Sequence, residues 1–479
     1  MTKKPNILLI TTDQQRFDTI SALGNPYIYT PHLNWLADEG ITFTNCYADC
    51  PVCIPSRTTI MTGRHGYAMG LVGNQSHAHI MNPQDTLPGI LTRSGYQTRA
   101  QGKMHFIPMR ANYGFEHMEL PMDYYRERNR NVKEGVPKMH GVGENEAEPV
   151  ISTVREQDSL TQWTVNRSID FLETRDETRP FFLWTSFTKP HPPFDPCYNY
   201  WALYQNREMP APVKGDWSQS AESIPGFASV SHTLNNVHRM SDSQITDMQR
   251  AYYACITQID YALGLLFGRM RELGLLENTW ILFTSDHGDM MGDHGMGAKS
   301  VFFEGSAHIP MLIRPPLGDF QKTSYSNGLC DTLCDLADIM PTILNLAGVD
   351  VPEAAEGDDL MSLYKQDLRV DHVLYGNTSD RFFMVRDARF KYTYTNLGGM
   401  GLLFDLTLDP YEQKNLANDP AHANRLKRMH GLLIEHIRTY SPSLLKGDDI
   451  IIHPAPQSPR DVLKWPGLHS TVHNSDVLH

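Results

Sequence analysis

Four short runs of the chain are apolar without alternation: Asn6–Thr12 (NILLITT), Phe181–Phe187 (FFLWTSF), Trp280–Asp286 (WILFTSD) and Ile309–Pro315 (IPMLIRP). A strand that offers water neither face must be covered on both, which demands a layer of helices on each side of its sheet. Helical patterns lie between these runs, at Thr30–Gly40, Leu87–Gly95, Ser159–Arg175 and Ser241–Gly274. The last opens on Ser-Asp-Ser and closes on Gly274, a capping signal at each end. Strands alternating with helices predict an α/β fold: a large, mainly parallel sheet with helices on both faces. At 479 residues the chain can bury a substantial core and carry a smaller unit as well.

The texture changes beyond Asp331–Gly348. His372–Asn377, Phe382–Asp387, Arg389–Thr395 and Leu402–Leu406 are short, closely spaced and alternating, and a helical pattern near Ala421–Thr439 follows. This predicts a C-terminal α+β subdomain with a short antiparallel sheet. The expected division is a main α/β domain over 1–370, the subdomain over 371–440 and an extended tail over 441–479. The tail, without a clear period, is expected to lie on the surface or to pack on a neighbouring copy in a homo-oligomer.

With 42 basic and 55 acidic residues the formal net charge is −13, which argues against a nucleic-acid partner. An anionic small molecule remains compatible, because a few focused cations outweigh the overall field in a pocket. The start, MTKKPNILLITTDQQ, has a short apolar run with no small-residue cleavage site, so it reads as a first strand. No window approaches the roughly twenty apolar residues of a membrane span. Seven cysteines, an odd number in so long a chain, predict reduced thiols and a cytoplasmic protein.

Ligands of a parallel α/β sheet bind beyond the carboxyl ends of its strands. Two strands end there in polar residues, one at Thr12-Asp13-Gln14 and the other at Asp286-His287-Gly288. A strand-end Asp most often caps the next helix. Two carboxylates, an amide oxygen and an imidazole from two strand ends can also close around one divalent cation. Lys103 and His105 stand two apart, as do Lys189 and His191, and residues two apart in extended chain share a face. His294 and Lys299 follow in a glycine-rich loop. Cations, a metal-ligand set and histidines at several strand mouths suit displacement at an oxyanion ester. A nucleophile is then needed. The run Cys50–His65 (CPVCIPSRTTIMTGRH) leaves three readings of Cys53 open: a zinc clip, a disulfide arm, or a reactive thiol under an arginine.

Cys53-Ile54-Pro55-Ser56-Arg57, with Thr62-Gly63-Arg64 beyond it, resembles the C-x-P-S-R…T-G-R signature of the type I sulfatases, in the alkaline-phosphatase-like superfamily. Further landmarks appear in the same order: PNILLITTDQ, GKMHF, KPHPPF, SDHGDMMGDHG, DIMPTILNLAG and LFDLTLDPYEQKNL. The resemblance runs to about residue 440. It implies that a formylglycine-generating maturation enzyme oxidises Cys53 to Cα-formylglycine. One hydroxyl of the hydrated aldehyde then attacks sulfur, and the other expels sulfate. It further implies that Asp13, Gln14, Asp286, His287 and the converted Cys53 hold a metal, that Arg57 steadies the nucleophile, and that Lys103 and Lys299 hold the sulfate. His105 would assist collapse of the intermediate, and His191 would protonate the leaving group. Lys189 would stand behind them. Asn74, shortly after the signature helix, is read both as lining the substrate pocket and as a cap. The zinc reading of Cys46, Cys50 and Cys53 lacks a fourth ligand; Cys197, Cys255, Cys330 and Cys334 read as core.

Two positions depart from the best-known members, which carry an acidic residue where Gln14 stands and an Asn where His287 stands. Calcium is the expected ion, with manganese the alternative. The expected substrate is a sulfate monoester of a sugar or another small organic sulfate. The Gln/His pattern also resembles the phosphonate monoester hydrolase branch, which cleaves phosphonates and phosphodiesters.

Overall fold

The computed structural model of the chain describes residues 4–74, 81–128, 145–220, 223–235, 237–317, 328–365 and 372–455. Its main sheet has eight strands: β1 (Asn6–Asp13), β2 (Ile41–Phe43), β3 (Gln97–Gly102), β4 (His117–Glu119), β5 (Phe181–Pro190), β6 (Thr279–Ser285), β7 (Met311–Arg314) and β8 (Gly328–Cys330). Their spatial order is β8-β2-β7-β6-β1-β5-β3-β4. Three of the four apolar runs form the centre, β6-β1-β5, paired in parallel with Leu8 opposite both Leu183 and Ile281.

Alternate residues of β1 enter different cores, as the pleat requires. Ile7 and Leu9 pack with Ile339, Met340 and Ile343 on one face. Leu8 and Ile10 pack with Leu263, Leu266 and Phe267 on the other. Those last three lie on the helix Asp242–Glu272. This helix starts with a capping box: the Ser241 hydroxyl accepts from the Gln244 N–H, and the Gln244 side chain reaches back to the Ser241 N–H. The expected two-sided cover is therefore present.

The fourth run differs from the simplest expectation. β7 pairs antiparallel with both β2 and β6. The chain leaves β6 at its carboxyl end and re-enters the sheet from that same edge after the loop beginning at Asp286. A strand entering there must run backwards, whereas a parallel strand needs a crossover to the far edge.

Four antiparallel strands form the second sheet, β9 (Leu374–Thr378), β10 (Phe382–Arg386), β11 (Phe390–Thr395) and β12 (Met400–Asp405). Phe383, Val385 and Tyr394 face the helix Ala423–Tyr440 through Met429, Leu433 and Ile437. Phe382, Met384 and Phe404 face Trp217, Met290 and Phe303, so this sheet is pressed against the loop that follows β6. Lys391 of β11, fully buried, fastens this sheet to the main unit by an ion pair to Glu304 (2.5 Å) and pairs with Glu412 of its own unit (2.6 Å). The expected boundary at 370 and most of the tail, residues 456–479, lie outside the described residues. The stretch that is described before 456 makes a short hairpin, Leu445–Lys446 with Asp449–Ile450, and His453 bridges to Leu397. Among the described residues no helix is long and apolar enough to cross a membrane.

Candidate active site

Register brings the two strand ends together. Thr12 stands opposite Ser285, so the next residues, Asp13 and Asp286, emerge side by side at the carboxyl edge. Gln14 turns sharply there with φ of 73°, and its N–H donates to Asp286 Oδ1 at 3.1 Å. On the other strand His287 follows Asp286, and Gly288 must stay small. A Cβ on Gly288 would lie 2.1 Å from the Gly305 carbonyl oxygen. Cys53 opens the helix Cys53–Thr62 after the extended Val52. Its Sγ lies 3.2 Å from His287 Nε2 and 3.8 Å from Asp13 Oδ1.

Asp13, Cys53, Asp286 and His287 are all buried, and each offers a ligand atom within 4.8 Å of the others. His287 Nδ1 lies 3.0 Å from the Gly288 carbonyl, so that nitrogen carries a hydrogen and Nε2 faces the group, where the neutral imidazole offers its lone pair. Two carboxylates, an imidazole lone pair and the Gln14 amide oxygen are a donor set that fits one divalent cation.

Three cations surround the carboxylates. Arg57, fully buried, donates through Nε to Asp286 Oδ2 at 2.8 Å, and its Nη2 stands 3.7 Å from Asp13 Oδ2. Lys103 Nζ pairs with Asp13 Oδ2 at 2.6 Å. Lys299 Nζ donates to Gln14 Oε1 at 2.7 Å and lies 3.3 Å from Cys53 Sγ. Burial alone would raise the Asp13 carboxyl, yet Lys103, His191, Lys299 and Arg57 hold it well below the usual range. Burial and the neighbouring Asp13 charge push Asp286 upward. Burial and Asp13 oppose ionisation of the Cys53 thiol, but Lys299, Lys103 and His287 outweigh them and hold it well below its ordinary value. The site is thus a compact group of opposite charges, buried except at Lys103, which is partly open to solvent.

Other expected residues fall in different places. His191 is buried, with Nδ1 2.8 Å from the Pro192 carbonyl, and feels the charges of Lys299, Asp13 and Lys103. Burial, then Lys299, drive its pKa well below the ordinary histidine range. His105 departs from extended geometry with φ of 57°, so alternation does not carry it onto the face of Lys103. Lys189 turns away to an ion pair with Asp195 and to the Pro193 carbonyl. Asn74 acts as a remote cap: its Oδ1 accepts from the Ile54 N–H at 3.1 Å, in the first turn of the nucleophile helix. Replacing Asn74 by Ala is expected to lower stability by about 1 kcal/mol, the usual value of an N-terminal cap. A rise in KM without loss of stability would instead place Asn74 in the substrate pocket.

His294 belongs to the core. It lies against Trp217, with ring centroids 4.5 Å apart, and its Nδ1 is 3.1 Å from Ser218 Oγ. Burial, and then Lys391, depress its pKa to about 3. An unfolded histidine takes up a proton near pH 6.5, so below that value the unfolded chain binds a proton that the folded chain refuses. Stability is complete above that pH and falls by about 1 kcal/mol per pH unit as the pH drops toward the folded value. Urea midpoints between about pH 6 and pH 4 should therefore shift less for His294→Gln than for the unaltered protein.

Two polar neighbours of these side chains carry no distinct signal in the sequence. Ser186 Oγ bridges Arg57 Nη1 (2.8 Å) and the Lys103 carbonyl (2.5 Å). Asp289 accepts from the Gln14 side-chain amide. Both sit inside motifs already noted, but nothing in the spacing distinguishes them from their neighbours.

Buried carboxylates, an imidazole and a thiol at the carboxyl edge of this sheet, ringed by three cationic side chains, suit hydrolysis of an oxyanion ester on an alkaline-phosphatase-like fold. The sulfatase family profile matches residues 5–349, and the profile of the N-sulphoglucosamine sulphohydrolase C-terminal region matches residues 292–439. An arylsulfatase of Clostridium perfringens is 32% identical over 477 residues, covering 94% of this chain and 97% of that protein. A choline-sulfatase of Rhizobium meliloti is 31% identical, covering 88% of this chain and 83% of its own length. The crystal structure of the phosphonate monoester hydrolase of Agrobacterium radiobacter superposes with a TM-score of 0.77 at 24% identity, over 91% of this chain and 96% of that one. The chain belongs to the sulfatase family, the enzymes that hydrolyse sulfate esters.

Proposed function

We propose that this enzyme cleaves the sulfate monoester of a sugar or another small organic alcohol, with residue 53, matured to formylglycine, as nucleophile. The observation that carries this reading is the position of Cys53 Sγ, 3.2 Å from His287 Nε2 and 3.3 Å from Lys299 Nζ at the start of a buried helix. Asp13, Gln14, Asp286 and His287 would hold the divalent ion, calcium or, as the alternative, manganese. When bound, that ion supplies Lewis-acid stabilisation of the charge on the transferred group. Oxidation of Cys53 by a maturation enzyme would supply, after hydration, the attacking hydroxyl and a second hydroxyl for release of sulfate.

The chain's own residues do the rest. Arg57 bridges Asp286 and Ser186 and so fixes the carboxylate beside residue 53. Lys103 and Lys299 would balance the sulfate oxygens, and charge counts for more in a largely buried site than in open water. His191 keeps its Nδ1 hydrogen on the Pro192 carbonyl, which leaves Nε2 to exchange a proton with the leaving oxygen. An anionic ester counters Lys299 and thereby raises the proton affinity of His191 when substrate is present.

A second reading, hydrolysis of phosphonate monoesters or phosphodiesters, is favoured by one observation: position 14 offers a neutral amide, so only two carboxylates would serve an ion. Turnover of p-nitrophenyl sulfate and p-nitrophenyl phenylphosphonate by one aldehyde-bearing preparation separates the two. The expected result is the larger kcat/KM for the sulfate. A wide margin in favour of the phosphonate would transfer the assignment to the second reading.

A further inference from the structure

We propose that Asp289 is a positioning residue that decides which end of the Gln14 amide faces the cation site. The inference rests on the reading of Gln14 as a ligand of the divalent ion.

Asp289 is buried, and its Oδ1 accepts from the Met291 N–H (2.8 Å) and the Ala298 N–H (3.1 Å). Two backbone donors lock the carboxylate across its loop, and Oδ2 accepts from Gln14 Nε2. At the other end of the amide, Oε1 accepts from Lys299 Nζ at 2.7 Å. A carboxylate only accepts and an ammonium only donates, so turning the amide over would set donor on donor at one end and acceptor on acceptor at the other. The orientation therefore follows from the partners. The Gln14 backbone is fixed as well: its N–H is held by Asp286 Oδ1 and its carbonyl by the Tyr252 hydroxyl at 2.7 Å.

Only Oε1 can ligate a cation, since an amide NH2 has no lone pair to give. Lys299, which holds Oε1, also lies 3.3 Å from Cys53 Sγ, so that oxygen is on the nucleophile side of the amide. A glutamate at position 14 has two equivalent oxygens and needs no orientation, but it would bring a carboxylate against Asp289. Gln14 and Asp289 thus form a matched unit of a neutral ligand and an outer carboxylate.

The test uses full-length protein stripped with chelator, titrated with calcium and with manganese by calorimetry, alongside unfolding of the metal-free forms by circular dichroism. Asp289→Asn is expected to weaken binding of the ions by about 10- to 100-fold, the range seen when outer partners of metal ligands are lost. In a Gln14→Glu background the same change should strengthen binding, because the asparagine amide can donate to the new carboxylate. D289N binding ions like the unaltered protein, or an equal loss in both backgrounds, overturns the proposal; the latter assigns Asp289 to loop structure alone. If D289N does not fold, Q14E by itself decides. It should lose metal-free stability and gain no calcium affinity, and tighter calcium binding at unchanged stability overturns the proposal. Q14A separates the premise from the inference. Unweakened binding in Q14A removes Gln14 as a ligand and the inference with it, whereas weakened binding in Q14A with none in D289N removes the inference only.

Discussion

Cys53→Ala is expected to lose sulfate-ester turnover by on the order of 10⁴- to 10⁶-fold, the usual result of removing a catalytic nucleophile, while the chain stays folded. Alanine carries no group that oxidation can turn into an aldehyde. It is also the best helix former, and position 53 is the first residue of the helix Cys53–Thr62, so the local backbone is preserved. The contacts removed are those of one sulfur with His287, Asp13 and Lys299. None of them closes a backbone hydrogen bond. Circular dichroism and an aryl sulfate assay on the same sample check both halves. Activity within about tenfold of the unaltered enzyme would place the nucleophile elsewhere.

Arg57→Met should instead act on stability first. The guanidinium is fully buried and meets Asp286, Ser186 and the Lys103 carbonyl, with Asp13 at 3.7 Å. Its removal leaves two buried carboxylates short of a counter-charge, and losses of this kind cost about 3–5 kcal/mol. Arg57→Lys restores a charge but not the planar fork that reaches three partners, so it should recover only part of the loss. Urea midpoints of the three proteins measure this directly. A shift below about 1 kcal/mol for Arg57→Met would mean that the carboxylates do not depend on Arg57.

The centre of the fold was legible because its strands are apolar on both faces. The runs at Asn6–Thr12, Phe181–Phe187 and Trp280–Asp286 became β1, β5 and β6, each within a few residues. Short strands such as β2 and β8, three residues each, carry too little pattern to be seen. The direction of β7 depends on the edge at which the chain re-enters the sheet, which local composition does not encode.

The cation group was legible for a related reason: Asp13 and Asp286 end adjacent central strands, so one register places both. Residues whose roles depend on distant partners were not. His294 looks like its neighbours in sequence, and Trp217 and Ser218, far off in the chain, make it a core residue. Lys189 shares its spacing with Lys103, yet Asp195 draws it aside. The left-handed backbone at His105 breaks the alternation that would set it on the face of Lys103.

The most direct measurement is the mass of the tryptic peptide Phe17–Arg57, taken from catalytically active protein after treatment with a hydrazide probe. A hydrazone at residue 53, with the corresponding loss of the cysteine sulfur, is the expected result. Fully active protein whose peptide carries only an unmodified, alkylatable thiol at that residue is incompatible with a formylglycine sulfatase.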